Sequence, residues 1–179
     1  WSGLEGMYRY YGYGFIFLFT PLFRMIEDPV VLYRVIVFIM ILCQAAAAPI
    51  SYHIMKRFFD MKDEVNTLII STAISYLVFV RATYVYNEFP YDLVFWLSLW
   101  TLLNLHENMA NKRKRVLLTI LLLALLTYEM TIHSRAITLF LALGVTVVFY
   151  FWTYRKSVIS VPAAVAVGVV GLILATKGI

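Results

Sequence analysis

Ionisable side chains are scarce in this chain and gather in short segments between long apolar runs, so the position of each one carries information. The segment Arg81-Ala-Thr-Tyr-Val-Tyr-Asn-Glu-Phe-Pro-Tyr-Asp92 holds one base and two acids, Glu88 and Asp92. Glu129, His133 and Arg135 cluster at a later turn, and Glu129 and His133, four apart, share one face of a continuing helix. Tyr8 and Arg9 belong to a Gly- and Tyr-rich opening stretch. Carboxylates of this kind can take a proton from an acceptor hydroxyl or amine as general bases. Cationic groups can stabilise a departing phosphate, and the planar Arg fork suits phosphate in particular. Each residue also has a plainer reading as a solvated interfacial group, and Arg9 stays open between snorkelling to lipid headgroups and binding one specific phosphate. Three acids, two Arg and one His from two adjacent turns favour a shared polar cavity.

Other chemistry is absent from the pattern. No P-loop, GxGxxG or HExxH occurs, and His53, His106 and His133 lie on different segments without metal-ligand spacing, so no metal ligand is assigned. His53 and His106 read as structural. Cys43 stands alone within an apolar run, which excludes an internal disulfide and reads as a small buried residue.

The elements that must position these groups follow from composition. Of 179 residues, 63% are hydrophobic and 14% charged, with a mean hydropathy of +0.83. A soluble domain would be about half apolar and a quarter charged. The apolar runs are near the roughly 20 residues that a helix needs to cross a bilayer. They are too long and too uniform for barrel strands, whose apolar residues alternate. The expected fold is therefore all-α, a polytopic bundle with about six spanning helices. These cover Val30–Met55, Asn66–Tyr84, Pro90–Leu105, Val116–Ile132, Ala136–Tyr154 and Val158–Thr176. Residues 1–28 read as an external loop and an interfacial helix, since the run Phe15–Ile26 is too short to span and contains Pro21 and Arg24. Residues 30–176 hold the six spans of one transmembrane domain. Glu27-Asp28-Pro29 reads as a helix start. Gly168 and Gly171 offer a weak signal for close helix packing.

Charge orients the bundle. Alternate connections carry Lys56, Arg57 and Lys62, then Lys112, Arg113, Lys114 and Arg115, then Arg155 and Lys156; the others carry only Arg81 and Arg135. Basic residues in short loops mark the cytoplasmic side. The net charge of +5 thus reads as topology, with no nucleic-acid partner implied. Attraction of Lys112–Arg115 to anionic lipid is the runner-up reading of that cluster. Trp1–Ile26, Arg81–Asp92 and Glu129–Arg135 then share the opposite face. With Trp1 in place of an initiating Met, the chain reads as a piece of a larger protein.

In that order the pieces resemble the GT-C glycosyltransferases, polytopic enzymes that use polyprenyl-phosphate sugars and include protein mannosyltransferase and aminoarabinose transferase relatives. Tyr8-Arg-Tyr-Tyr-Gly-Tyr-Gly-Phe-Ile-Phe-Leu-Phe-Thr-Pro-Leu-Phe23 resembles their interfacial helix after the first external loop. Tyr86-Asn-Glu-Phe-Pro-Tyr-Asp92 is similar to an acidic element at the head of a family helix, and His133-Ser-Arg-Ala136 to a turn between two later spans. The resemblance implies transfer of a sugar from a polyprenyl-phosphate donor to a glycan, lipid or protein acceptor. The setting would be a multi-pass protein among the lipids of a bacterial cytoplasmic membrane, with its active face non-cytoplasmic. It places Tyr8, Arg9, Glu88, Asp92, His133 and Arg135 around the substrate and leaves room for a divalent metal ion as cofactor. The family's catalytic carboxylate would precede Trp1, so no catalytic residue is assigned. The acidic-Lys-Pro-Pro pattern of some relatives is replaced here by Tyr8-Arg9-Tyr10-Tyr11.

Two readings from other classes compete. A transporter or flippase of lipid-linked substrates would favour helices broken at the bilayer midplane, whereas these ionisable groups gather at span ends. A non-catalytic scaffold would leave the far-side charges dispensable. A lipid-linked polysaccharide polymerase or ligase is a closer alternative.

Overall fold

In the computed structural model, which describes residues 13–76, 88–132, 136–154 and 159–176, those residues form seven helices and their short connections. They are α1 (Tyr13–Met25), α2 (Pro29–Phe58), α3 (Glu64–Tyr76), α4 (Glu88–Glu107), α5 (Lys112–Ile132), α6 (Ile137–Tyr154) and α7 (Val161–Thr176). Three of them start where a side chain accepts from the free amides of the first turn. Asp28 Oδ1 accepts from Val30 N at 2.7 Å, with Pro29 in the first helical position. Asp63 Oδ1 accepts from Asn66 N at 3.0 Å, and Asn111 Oδ1 from Lys114 N at 3.1 Å. Between α2 and α3 the chain turns through Asp60, whose φ of 49° lies in the left-handed region that short polar side chains tolerate.

The helices follow the apolar runs read from the sequence, but they differ in their fitness to span. α2, α5 and α6, at 30, 21 and 18 residues, are long and apolar enough to cross a membrane. α3 and α7 are shorter, at 13 and 16 residues, and α4 has the length at 20 residues but is less apolar. The expected second span, Asn66–Tyr84, runs beyond α3 into residues outside those described. The short α1, with Pro21 inside it, matches the expected interfacial helix in extent.

The described side chains show the same solvent preference. Leu143 is the buried residue of α6, whereas Leu141, Val145 and Trp152 are 66%, 69% and 79% exposed. Apolar surface on that scale needs lipid or a partner to cover it. The described residues are helical apart from their short connections, and three of the helices are those of a membrane protein by length and apolar composition. Cys43, expected to be buried, is only half-buried. Gly168 has open space where a Cβ would go, so it mediates no close packing.

Contacts divide the chain into two compact units. The first comprises Trp1–Leu97 with Tyr128–Ser134. Its apolar centre is Phe19 of α1, Ile36 and Met40 of α2 and Phe89 of α4. In the same unit α2 and α3 form an antiparallel hairpin held at a serine node. Ser51 Oγ lies 2.9 Å from Ser75 Oγ and 3.2 Å from Ser71 O, and all three serines are fully buried. Small hydroxylated residues allow such close approach between membrane helices. Gly14 serves the same purpose where α1 meets the end of α5. A Cβ there would come within 2.8 Å of Thr131 Cβ and 2.9 Å of its carbonyl carbon. The Tyr128 hydroxyl donates to Gly14 O at 3.4 Å across this contact.

The second unit comprises Ser98–Thr127 with Arg135–Ile179. Leu105 of α4, Leu122 and Leu126 of α5 and Leu143 of α6 form its core. Buried Thr119 donates to Arg115 O at 2.7 Å and accepts from Ser160 N at 2.9 Å, which fixes the residue just before α7 against α5.

Candidate functional site

α4 carries Glu88 in its first turn, then Asp92 and Trp96 at steps of four. On a helix that spacing aligns the three side chains along one stripe about 12 Å long at 1.5 Å per residue. Within the first unit this stripe is turned inward. Asp92 is 8% exposed and Trp96 7%, and Glu88 is half-buried. Phe89, beside Glu88, is 3% exposed and packs with Phe19, Ile36 and Met40, so the start of α4 is held against α1 and α2 by apolar contact.

Buried polar groups are normally satisfied by hydrogen bonds. Here Glu88 Oε2, Asp92 Oδ2 and Trp96 Nε1 are all shut off from solvent with no hydrogen-bond partner among the described residues. The Trp96 indole also interacts with the Asp92 carboxyl. The stripe therefore offers two acceptors, Glu88 Oε2 and Asp92 Oδ2, without a partner among the described residues, next to the Trp96 indole. A ligand hydroxyl is both donor and acceptor. A compound with several hydroxyls can thus donate to the carboxylates, while the indole ring offers an apolar face to C–H groups.

A third acid belongs to the same unit. Glu129, in the last turns of α5, is fully buried, and its neighbours Tyr128 and Thr131 hold that end of the helix against α1. Of the residues expected around the substrate, Glu88 and Asp92 are brought together on one stripe. Tyr8, Arg9, His133 and Arg135 lie outside the described residues, as does Arg81. Trp96 was not among the expected site residues, although its four-residue step from Asp92 was a readable signal. No group of three or more His, Cys, Asp or Glu side chains among the described residues is placed to hold a metal ion. No protein-family model matches this chain, and neither a curated protein nor a solved structure matches it.

Proposed function

We propose that this chain is part of an integral-membrane glycosyltransferase of GT-C type, moving a sugar from a polyprenyl-phosphate donor to an acceptor on the non-cytoplasmic side. The observation that supports the reading is the α4 stripe. Glu88 Oε2 and Asp92 Oδ2 are shut off from water with no hydrogen-bond partner among the described residues, and with the Trp96 indole beside them they match the hydroxyl-rich chemistry of a sugar. In this reading α2 to α7 cross the bilayer six times. The connections bearing Lys56 and Arg57, Lys112–Arg115, and Arg155 and Lys156 face the cytoplasm, while Glu88, Asp92 and Glu129 belong to the far face. The donor keeps its polyprenyl tail in lipid while its headgroup reaches the stripe. In the reaction the acceptor oxygen or nitrogen bonds to the anomeric carbon as the bond from that carbon to the phosphate oxygen breaks. Polyprenyl phosphate leaves and the acceptor proton passes to a carboxylate. Glu88 and Asp92 bind sugar hydroxyls here, and the resemblance assigns Arg9 to the donor phosphate; the general base is not assigned to any of them.

The transporter reading calls for helices interrupted at midplane, and α2 instead continues without a break through Pro49. The deciding experiment uses the intact protein in nanodiscs with a panel of polyprenyl-phosphate sugars. Arg9, Glu88 and Arg135 are replaced singly by Ala. A hydrogen bond to a charged group is worth roughly 1.5–3 kcal/mol, so each folded variant should lose about 10- to 100-fold in transfer rate. No transfer by the intact protein from any donor would sink the enzyme reading. Transfer undiminished in all three variants would sink the site.

A further inference from the structure

The second unit holds a pocket that the transferase reading does not use. It has a volume of about 340 Å³, within the range of small-molecule sites, and is lined by His106, Met109, Ala110, Arg115, Tyr150 and Tyr154. These residues come from the end of α4, the turn before α5, the first turn of α5 and the end of α6. The proposed topology puts that end of the helices at the cytoplasmic surface, the end marked by Lys112, Arg113 and Lys114.

The pocket has one charged group without an internal role. Arg115 Nε is closed off from solvent and has no hydrogen-bond partner among the described residues. A buried charged donor left unsatisfied is costly, and such groups are normally paired. The backbone of Arg115 is fully used, its N–H bonded to Asn111 O at 2.9 Å and its carbonyl to Thr119 Oγ1 at 2.7 Å. The place of the residue on the helix is thus fixed, while Nε has no acceptor among the described residues. In the same lining, the Tyr150 hydroxyl lies 2.6 Å from His106 Nδ1. With Tyr150 donating, His106 carries its own proton on Nε2 and keeps a second donor for a ligand. Met109, Ala110 and the Tyr150 and Tyr154 rings supply apolar walls. A planar guanidinium fork and an imidazole lining one pocket suit tetrahedral phosphate oxygens, which accept bidentate bonds from Arg.

We infer that this pocket binds a phosphate group through Arg115 and His106. The source is either the headgroup of an anionic lipid, which the apolar walls and the cytoplasmic leaflet would favour, or a soluble phosphate. The inference does not rest on the transferase reading, since it concerns other residues in the other unit.

The test titrates the purified protein in neutral detergent with dioctanoyl phosphatidic acid, dioctanoyl glycerol or inorganic phosphate, followed by calorimetry. Phosphatidic acid should bind saturably at one per chain. Arg115→Leu should weaken it at least tenfold and Arg115→Lys, which keeps the charge but loses the fork, by less. Arg113→Ala, at an exposed neighbour, should leave it within twofold. Inorganic phosphate binding as tightly, with the same dependence on Arg115, would support the site and assign it to a soluble ligand. Equal binding of dioctanoyl glycerol would overturn the inference, leaving only an apolar pocket. So would equal losses in Arg113→Ala and Arg115→Leu, which would mean diffuse charge attraction, or no saturable binding of either phosphate compound. Because Arg115 Nε has no hydrogen-bond partner to lose among the described residues, unliganded Arg115→Leu should be at least as heat-stable as the parent.

Discussion

Replacing Asp92 by Asn separates a carboxylate kept for a ligand from one kept for the fold, because the two cases move stability in opposite directions. Asp92 is 8% exposed and its Oδ2 has no hydrogen-bond partner among the described residues. A buried acceptor left unsatisfied costs about 1–3 kcal/mol, and more when charged. Asn has nearly the same shape, so the change leaves no cavity and removes the surplus cost of the charge. The expected result is a gain of about 1–2 kcal/mol in unfolding free energy, with a loss of sugar transfer. If Asp92 were instead one half of a buried ion pair, the same substitution would strand the cation and cost about 3–5 kcal/mol. The gap between these outcomes exceeds the spread in either number. The assay is reversible denaturation of the parent and Asp92→Asn proteins in the same detergent, with transfer measured on the same preparations. Stability lower by more than about 1 kcal/mol would refute the argument and make Asp92 a structural ion-pair member. Higher stability with unchanged transfer would leave an unpartnered acid that the reaction does not use.

The α2–α3 hairpin and the α1–α5 contact give sharper steric expectations. Ser51→Ala should cost only about 0.6 kcal/mol, the usual worth of a hydrogen bond between membrane helices, since Ser75 Oγ keeps its own 2.8 Å bond to Ser71 O. Ser51→Leu should cost roughly 1–3 kcal/mol more by overpacking a fully buried position, and equal stability of the two variants in detergent unfolding would contradict the hairpin geometry. Gly14→Ala should destabilise by about 1–3 kcal/mol because its new methyl group meets both Thr131 Cβ and backbone. Adding Thr131→Ala should recover only part of that loss, since the carbonyl carbon at 2.9 Å remains; full recovery would mean that the backbones are free to move apart.

How much of this was legible beforehand depends on the range of the interaction concerned. Helix starts are local, and Asp28-Pro29 announces α2 because the cap and the residue it serves are two apart. Hydropathy over a window is also local, so the apolar runs coincide with α2, α5, α6 and α7 to within a few residues. Spanning is less local. α4 matches its expected extent, yet Ser98, Thr101 and Asn104 are buried along it, and these polar residues lower its apolar character because they face protein instead of lipid. A window average cannot separate a helix that is polar toward neighbouring helices from one that is polar toward water. The same limit hid Trp96. Nothing in its apolar bulk marks it out within a run of large side chains, and only the burial of a polar atom on both Asp92 and Trp96, without a hydrogen-bond partner among the described residues, turns a four-residue step into a candidate site. Glu88 and Asp92 were legible because a charge within an apolar run is conspicuous whatever surrounds it. A tryptophan in such a run is not, since the property that matters there is one unmatched N–H. The Arg115 pocket lies at the far end of that scale. Its charge was visible and sufficiently explained by topology, and only the closure of Nε beneath neighbouring side chains distinguishes it from the exposed Lys112, Arg113 and Lys114 beside it.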